Sequence, residues 1–513
     1  MKGYATDKRR LRRRVFEEIA RLGYEGAGPE AIDQLPFKIV PLNDEPFRDT
    51  IFLERAVVGE RLRAAMGLPL RPIDTYVPAS AGVDESMIAD TYYEPPLLDI
   101  IKVACNRCPD NRVFVTNGCQ GCLEHPCMEV CPKKCISMKD GRSFIDQDAC
   151  IKCERCLKTC PYNAIIHQKR PCVQACGIGA IHENQYGHAE IDQEKCVSCG
   201  MCLDSCPFAA IVDKGQIYQT VRALESDTDV YAIVAPAIAG QFGKSFTDTK
   251  MKEAFGILGF KDVMEVAVGA DLCTIQEAGH FLKDVPENIP FMGTSCCPAW
   301  SIFAKKEFPE YANTISMALT PMVLTARLVK KKHPDCKIAF IGPCLSKKNE
   351  ASRKSVKSFV DFTLTFEELA GMFTAKGLNF DEMTEKEPLR KASRDGYGFA
   401  RSGGVAQAVA NHIEKTHPEI EVKIAKAEGL AECKKMMLLA SKGKYDGYLI
   451  EGMACPGGCI GGAGTLVPMN KADHQLSVSQ NEAGVTNAIE SRYADWLPTV
   501  ENLDKEFEYS EEE

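Results

Sequence analysis

The sequence predicts two fold classes in one chain: a small α+β region organised by its cysteines, followed by an α/β layer domain. Three observations predict this. Seventeen of the 25 cysteines lie between Cys105 and Cys206, in repeated CxxC spacings. That stretch is poor in long periodic segments. After about Asp229, short apolar strand-like runs alternate with helical stretches, which argues for layered α/β structure. The predicted divisions are 1–100, with no cysteine and no assignable motif, then 101–221, 222–497 and an acidic tail, 498–513.

The length of 513 residues and the 45% hydrophobic content allow a sizeable core. Clustered CxxC spacing reads as metal binding, not disulfides. No stretch approaches the roughly 18 consecutive apolar residues of a spanning helix; the best run, Tyr231 to Ala239, is broken by Pro236. The basic run Lys8 to Arg14 is followed by Glu17 and Glu18 instead of an apolar segment. It therefore reads as a solvated amphipathic helix, not a signal peptide, and a cytoplasmic location is expected. A net charge of −9 argues against nucleic acid as the main partner.

Two runs share one form, Cys150-x2-Cys153-x2-Cys156-x3-Cys160-Pro161 and Cys196-x2-Cys199-x2-Cys202-x3-Cys206-Pro207. This is the bacterial ferredoxin spacing, in which three thiolates wrap one [4Fe-4S] cubane and the fourth reaches a neighbouring cluster. A structural zinc would want two separated CxxC pairs. A looser run, Cys119-x2-Cys122-x4-Cys127-x3-Cys131, pairs with the one at Cys150 as a two-cluster unit. On the usual cross-over, Cys119, Cys122, Cys127 and Cys160 hold one cluster, and Cys150, Cys153, Cys156 and Cys131 the second. The unit recurs about 45 residues on, with Cys172 and Cys176 in place of Cys127 and Cys131. Its complete cluster uses Cys196, Cys199, Cys202 and Cys176. The remaining Cys172 and Cys206 are completed by Cys105 and Cys108 if there are four clusters, and are left over if there are three. Cys135 stands where other runs have Ala164, Ala180 and Ala210, and is expected to be a small buried side chain. Lys133, Lys134, Lys152, Arg155 and Lys158 surround these motifs and could steer an acidic electron carrier.

In the later region three cysteine motifs each follow a short apolar stretch: Thr294-Ser295-Cys296-Cys297-Pro298-Ala299-Trp300, Gly342-Pro343-Cys344-Leu345-Ser346-Lys347-Lys348 and Glu451-Gly452-Met453-Ala454-Cys455-Pro456-Gly457-Gly458-Cys459. If those stretches are parallel strands, their carboxyl ends open on a shared crevice. Gly457, Gly458, Gly461, Gly462 and Gly464 let backbone approach a bulky centre; a dinucleotide loop fits poorly because of the embedded cysteines. Cys273, Cys336 and Cys433 have no cysteine-rich neighbours and read as structural.

These three segments resemble the signatures of the [FeFe]-hydrogenase family. The absence of a plant-type [2Fe-2S] domain ahead of the ferredoxin-like part resembles the group B branch. The resemblance implies α+β ferredoxin-like iron–sulfur domains followed by an α/β catalytic domain whose two parallel-sheet halves surround the active-site crevice. It implies an H-cluster: Cys297, Cys344, Cys455 and Cys459 hold a [4Fe-4S] cluster, and Cys459 bridges to a two-iron subsite with CO, cyanide and a dithiolate. Three to four further [4Fe-4S] clusters accompany it. Cys296 is implied as the proton donor, Glu277 and Ser316 as its relay, and Lys347 as a partner of cyanide. Met453, Ala235, Pro236, Ala237 and Phe399 are implied to pack around the subsite. The chain departs from the pattern at His280, where the relay's next acidic member is usual, at Gly342, where methionine is usual, and at Met322, where glutamine is usual.

The implied activity is ferredoxin hydrogenase, 2H⁺ + 2e⁻ ⇌ H₂, with a ferredoxin or similar carrier and hydrogenase maturation proteins as partners. A hydrogen sensor would be expected to append a signalling module, and only about fifty residues follow Cys459. An iron–sulfur assembly factor would carry cubanes without the two-iron subsite.

Overall fold

The computed structural model describes residues 2–3, 6–43, 46–72, 74–88 and 94–503. The acidic run Glu506 to Glu513 lies outside them; before it the chain ends in a short helix, Leu497–Glu501.

Three N-terminal helices, α1 (Asp7–Glu25), α2 (Pro29–Ile39) and α3 (Ile51–Ala65), lead the chain. They do not form a core of their own. Phe16, Ile19, Leu35 and Leu62 bury in one cluster with Ile217, Phe366, Leu369 and Phe373 from the later part of the chain. Each such side chain contributes about 1.5–3 kcal/mol of transfer free energy. Gly371 permits this approach, because a Cβ there would sit 2.7 Å from that of Phe16. The basic run is not solvated as its sequence suggested. Arg9 and Arg12 are each 7% exposed, and Arg12 pairs with Glu367 at 2.8 Å and with Asp213 at 3.6 Å. Burial of those guanidinium groups is offset by carboxylates far away in sequence, a pattern that α1 alone does not display.

Between residues 98 and 213 the chain forms four two-stranded antiparallel pairs: Leu98–Ile100 with Ile211–Asp213, Arg112–Val115 with Ile165–Gln168, Ile136–Lys139 with Arg142–Ile145, and Ile181–Glu183 with Ala189–Ile191. The duplication seen in the cysteine spacing recurs in the packing. Val113, Ile136, Ile145 and Ile165 surround Cys127 and Cys156; Leu98, Ile100, Ile181, Ile191 and Ile211 surround Cys172, Cys202 and Cys206. Strands of three or four residues with so few apolar partners make small cores.

The later region is built on two parallel sheets. One has the order Asp262–Glu265, Val230–Val234, Lys337–Ile341, Phe362–Leu364; the other has Met292–Gly293, Tyr448–Met453, Lys423–Glu428. Strands buried on both faces by helices read as continuous apolar runs, as Val230–Val234 and Lys337–Ile341 do. The three motif-bearing stretches therefore divide between two sheets. Among the described residues no helix is long and apolar enough to cross a membrane.

Candidate active site and metal centres

The short helices Pro126–Glu129, Arg155–Thr159, Pro171–Ala175 and Met201–Ser205 each sit within a cysteine run and turn its thiols inward. Cys119, Cys122, Cys127 and Cys160 line one small cavity. Cys131, Cys150, Cys153 and Cys156 line a second. Cys105, Cys108, Cys172 and Cys206 line a third. Cys176, Cys196, Cys199 and Cys202 act on one another electrostatically as a fourth group. Backbone N–H groups point at these sulfurs, from Lys152 to Cys150, Ala164 to Cys160, Ser198 to Cys196 and Ala210 to Cys206, each at 3.4 Å, and from Ala180 to Cys176 at 3.2 Å. Such donors favour thiolates. The loops adopt left-handed backbone at non-glycine positions to do this, with φ 57° at Lys152, 61° at Glu154 and 54° at Ser198. Those conformations cost energy, and four converging sulfur donors with amide hydrogen bonds fit a cubane. Cys135 is not an inert buried residue: its Sγ lies 3.5 Å from that of Cys131.

The fourth thiol group abuts the later region. Gly200, at φ 77°, has no room for a side chain, since a Cβ would lie 2.5 Å from Leu345 Cδ1 and 2.9 Å from Ala463 Cβ. Ser346 Oγ donates to the Val197 carbonyl at 3.0 Å. Leu345 and Ala463 follow Cys344 and Cys459 closely in sequence, so this contact sets the Cys199 thiol against those of Cys297 and Cys455.

Beyond it the carboxyl ends of both sheets empty into one buried cavity. Its lining includes Ala235, Pro236 and Ala237 after the first strand, Cys296 and Cys297, Cys344 and Lys347, Phe399, and Met453, Cys455 and Cys459. The cavity measures about 80 Å³, against about 20 Å³ at each of the three cysteine cavities above. Apart from the thiols and the Lys347 ammonium, its side chains are apolar. Residues distant in sequence, from 235 to 459, thus face one space sized for more than a cubane.

Residues 228–463 match the family model described as the iron only hydrogenase large subunit, C-terminal domain. This segment belongs to the iron-only hydrogenase family. Residues 143–165 and 189–212 match 4Fe-4S binding domains. Iron hydrogenase 1 of Clostridium pasteurianum is 28% identical over 302 residues, 49% of this chain and 53% of its own length, so the match spans about half of that relative. The periplasmic [Fe] hydrogenase large subunit of Nitratidesulfovibrio vulgaris is 29% identical over 374 residues, 63% of this chain and 86% of its own. The cytosolic Fe-S cluster assembly factor NAR1 of Kluyveromyces lactis is 24% identical over 309 residues, 46% of this chain and 66% of its own.

In this hydrogenase domain, Glu277 is fully buried on the helix Ala267–Asp284. Its Oε1 accepts from the Ser295 amide at 2.7 Å and the Ser295 hydroxyl at 3.0 Å, and its Oε2 has no hydrogen-bond partner among the described residues. Burial pushes its carboxyl up to about 7, opposed by Ser295 and by the Ser316 hydroxyl nearby. Burial, then the carboxyls of Glu451 and Glu277, push the Cys296 thiol well above its usual range. Lys347 Nζ contacts Glu350 at 2.6 Å and Thr320 Oγ1 at 3.0 Å. His280 lies one turn beyond Glu277 on the same helix and is partly exposed.

The structure gives the departure at Gly342 a physical reason. A Cβ there would come within 2.5 Å of Phe340 Cζ, and the Phe340 ring lines the cavity together with Met322. Sequence reading passed over Phe340, although it stands two residues before Gly342 on the same strand. It also passed over Glu451, a buried carboxylate that accepts from the amides of Gly403 at 2.6 Å and Ala406 at 2.8 Å; its place within a signature motif was the available signal.

Proposed function

We propose that this chain is an [FeFe]-hydrogenase of the group B type, interconverting protons and electrons with H₂. The observation that carries the proposal is the convergence of Cys297, Cys344, Cys455 and Cys459 on one cavity together with Cys296, Lys347 and Met453. On this reading the first four cysteines hold a [4Fe-4S] cluster, Cys459 also holds a two-iron subsite, and the apolar lining keeps bulk water out. The two-iron subsite, when bound, supplies Lewis acidity toward hydrogen.

The chain's own residues handle the proton and the charge. Cys296 carries the proton at its Sγ, held as a thiol by burial. Glu277, with its pKa near the operating pH, accepts and returns that proton, as efficient general acid–base transfer requires. The unpartnered Oε2 is the oxygen at which it does so. Ser316 and then His280 continue the path outward. Lys347, kept charged by Glu350, offers its ammonium to an anionic cyanide.

Four thiol groups make an electron path of up to four accessory clusters, leading to the Cys297 cluster through Cys199. Its outer end carries Lys133, Lys134, Arg155 and Lys158 on the surface beside the exposed apolar residues Leu123, Ile151 and Tyr162, a face suited to an acidic ferredoxin-type carrier. Maturation proteins and a cytoplasmic setting complete this reading.

Similarity to the assembly factor NAR1 favours a second reading, in which the domain carries cubanes but no two-iron subsite. Cys296, Lys347 and Met453 then have no task. Hydrogen turnover with a viologen, measured on Cys296→Ala after anaerobic maturation, separates the two. The account expects unchanged iron content and turnover reduced at least a hundredfold, the lower end of proton-transfer contributions. Unchanged turnover would refute the proton role.

A further inference from the structure

Arg61, on α3, is 4% exposed, yet its Nε and Nη2 have no hydrogen-bond partner among the described residues. The cations around it are compensated: Arg12 by Glu367 and Asp213, Arg48 by Glu54 at 2.9 Å, and Arg9 by Asp204 at 3.8 Å. Arg61 makes no ion pair of its own among the described residues. Unpaired buried charge is expensive, so such a guanidinium calls for an anion. The thiol that acts on it is Cys206. From α1, Lys8 closes on the same place. Its Nζ donates to the carbonyls of Leu203, Asp204 and Cys206, each at 2.9 Å, and Cys206 acts on it as well. Cys206 lines the cavity with Cys105, Cys108 and Cys172.

A cubane with four thiolates carries about two negative charges when oxidised and about three when reduced, so nearby cations favour the reduced form. The counterpart group in the first unit, Cys119, Cys122, Cys127 and Cys160, has the solvent-exposed Arg142 nearby, where water screens the charge. We propose that Arg61 and Lys8, from the otherwise unassigned N-terminal segment, raise the reduction potential of the cluster held by Cys105, Cys108, Cys172 and Cys206 above that of its counterpart. That makes it the electron-holding station of the relay. It takes one electron from a neighbouring cluster, its core passing from 2+ to 1+, and returns to 2+ on handing it to the cluster at Cys202, whose thiol faces Cys172. The inference rests on reading those four thiols as cluster ligands. It does not require a two-iron subsite.

The test is an anaerobic redox titration of the full chain, reconstituted with iron and sulfide without maturation and reduced with dithionite, read by electron paramagnetic resonance. Loss of one signal in Cys108→Ser assigns the cluster; if no signal is lost, the site itself is refuted, whatever the chain's activity. In Arg61→Met the assigned signal is expected to be at least tenfold less reduced at the wild-type midpoint, about 59 mV for one electron, with the other signals unmoved. Arg61→Lys should restore it. Lys8→Met, at a partly exposed position, should shift it in the same direction, and it decides the matter if Arg61→Met loses the cluster. Unmoved midpoints at full iron content in Arg61→Met, or in Lys8→Met where that variant decides, would overturn the proposal.

Discussion

Glu277 shows how one buried side chain links stability to chemistry. Its folded-state value of about 7 lies above the ordinary 4.5, so the folded chain holds a proton there that the unfolded chain releases. Stability contributed by that proton is present below about pH 4.5 and falls as the pH rises to about 7, by up to about 3 kcal/mol. Glu277→Gln removes this slope. Denaturant unfolding at about pH 5 and about pH 8 should show a smaller difference for the variant than for the parent chain, and equal differences would show that the carboxyl ionises normally. Glu265 and Asp271, pushed up by burial to about 7 and about 6, give the same sign in both chains and cancel from the comparison. The same glutamate is the proposed proton relay, so its preference for the neutral form near neutrality is what the chemistry uses.

Among the elements, α1 departs furthest from its sequence pattern. Arg12 reaches two buried carboxylates, and its removal leaves both without this partner. Arg12→Met should cost about 3–5 kcal/mol, read as a lowered midpoint of denaturant unfolding; a loss below about 1 kcal/mol would mean the pair is effectively solvated. The sequence made α1 legible as a helix but not as a buried one, because Glu367 and Asp213 stand hundreds of residues away or in another region. Cysteine spacing was more informative. It pointed to the same fourfold groups that the structure brings together, including the completion of Cys172 and Cys206 by Cys105 and Cys108, because ligand spacing is local and the cross-over follows a fixed pattern. The strand positions before the three later motifs were legible from their apolar runs. Their division between two sheets was not, since periodicity carries no information on which strands pair. The ring of Phe340 filling the space beside Gly342 was equally invisible, being a packing relation between side chains.

At the scale of the molecule, the two halves depend differently on iron. The region from 98 to 213 has only short strand pairs and small cores built around cysteines, whereas the helices α1 to α3 and the four-stranded parallel sheet share one large core. Iron removal by an anaerobic chelator should therefore melt the strand pairs and leave the sheets, giving loss of part of the far-ultraviolet dichroism and a surviving cooperative thermal transition. Loss of all structure together would show that the clusters hold the whole molecule. The central claim is that four distant thiols share one cavity with room for a further metal group, and infrared spectroscopy of the anaerobically matured chain tests it most directly. The account predicts CO and cyanide stretching bands that vanish in Cys459→Ser; a matured chain with full cubane iron and no such bands would contradict it.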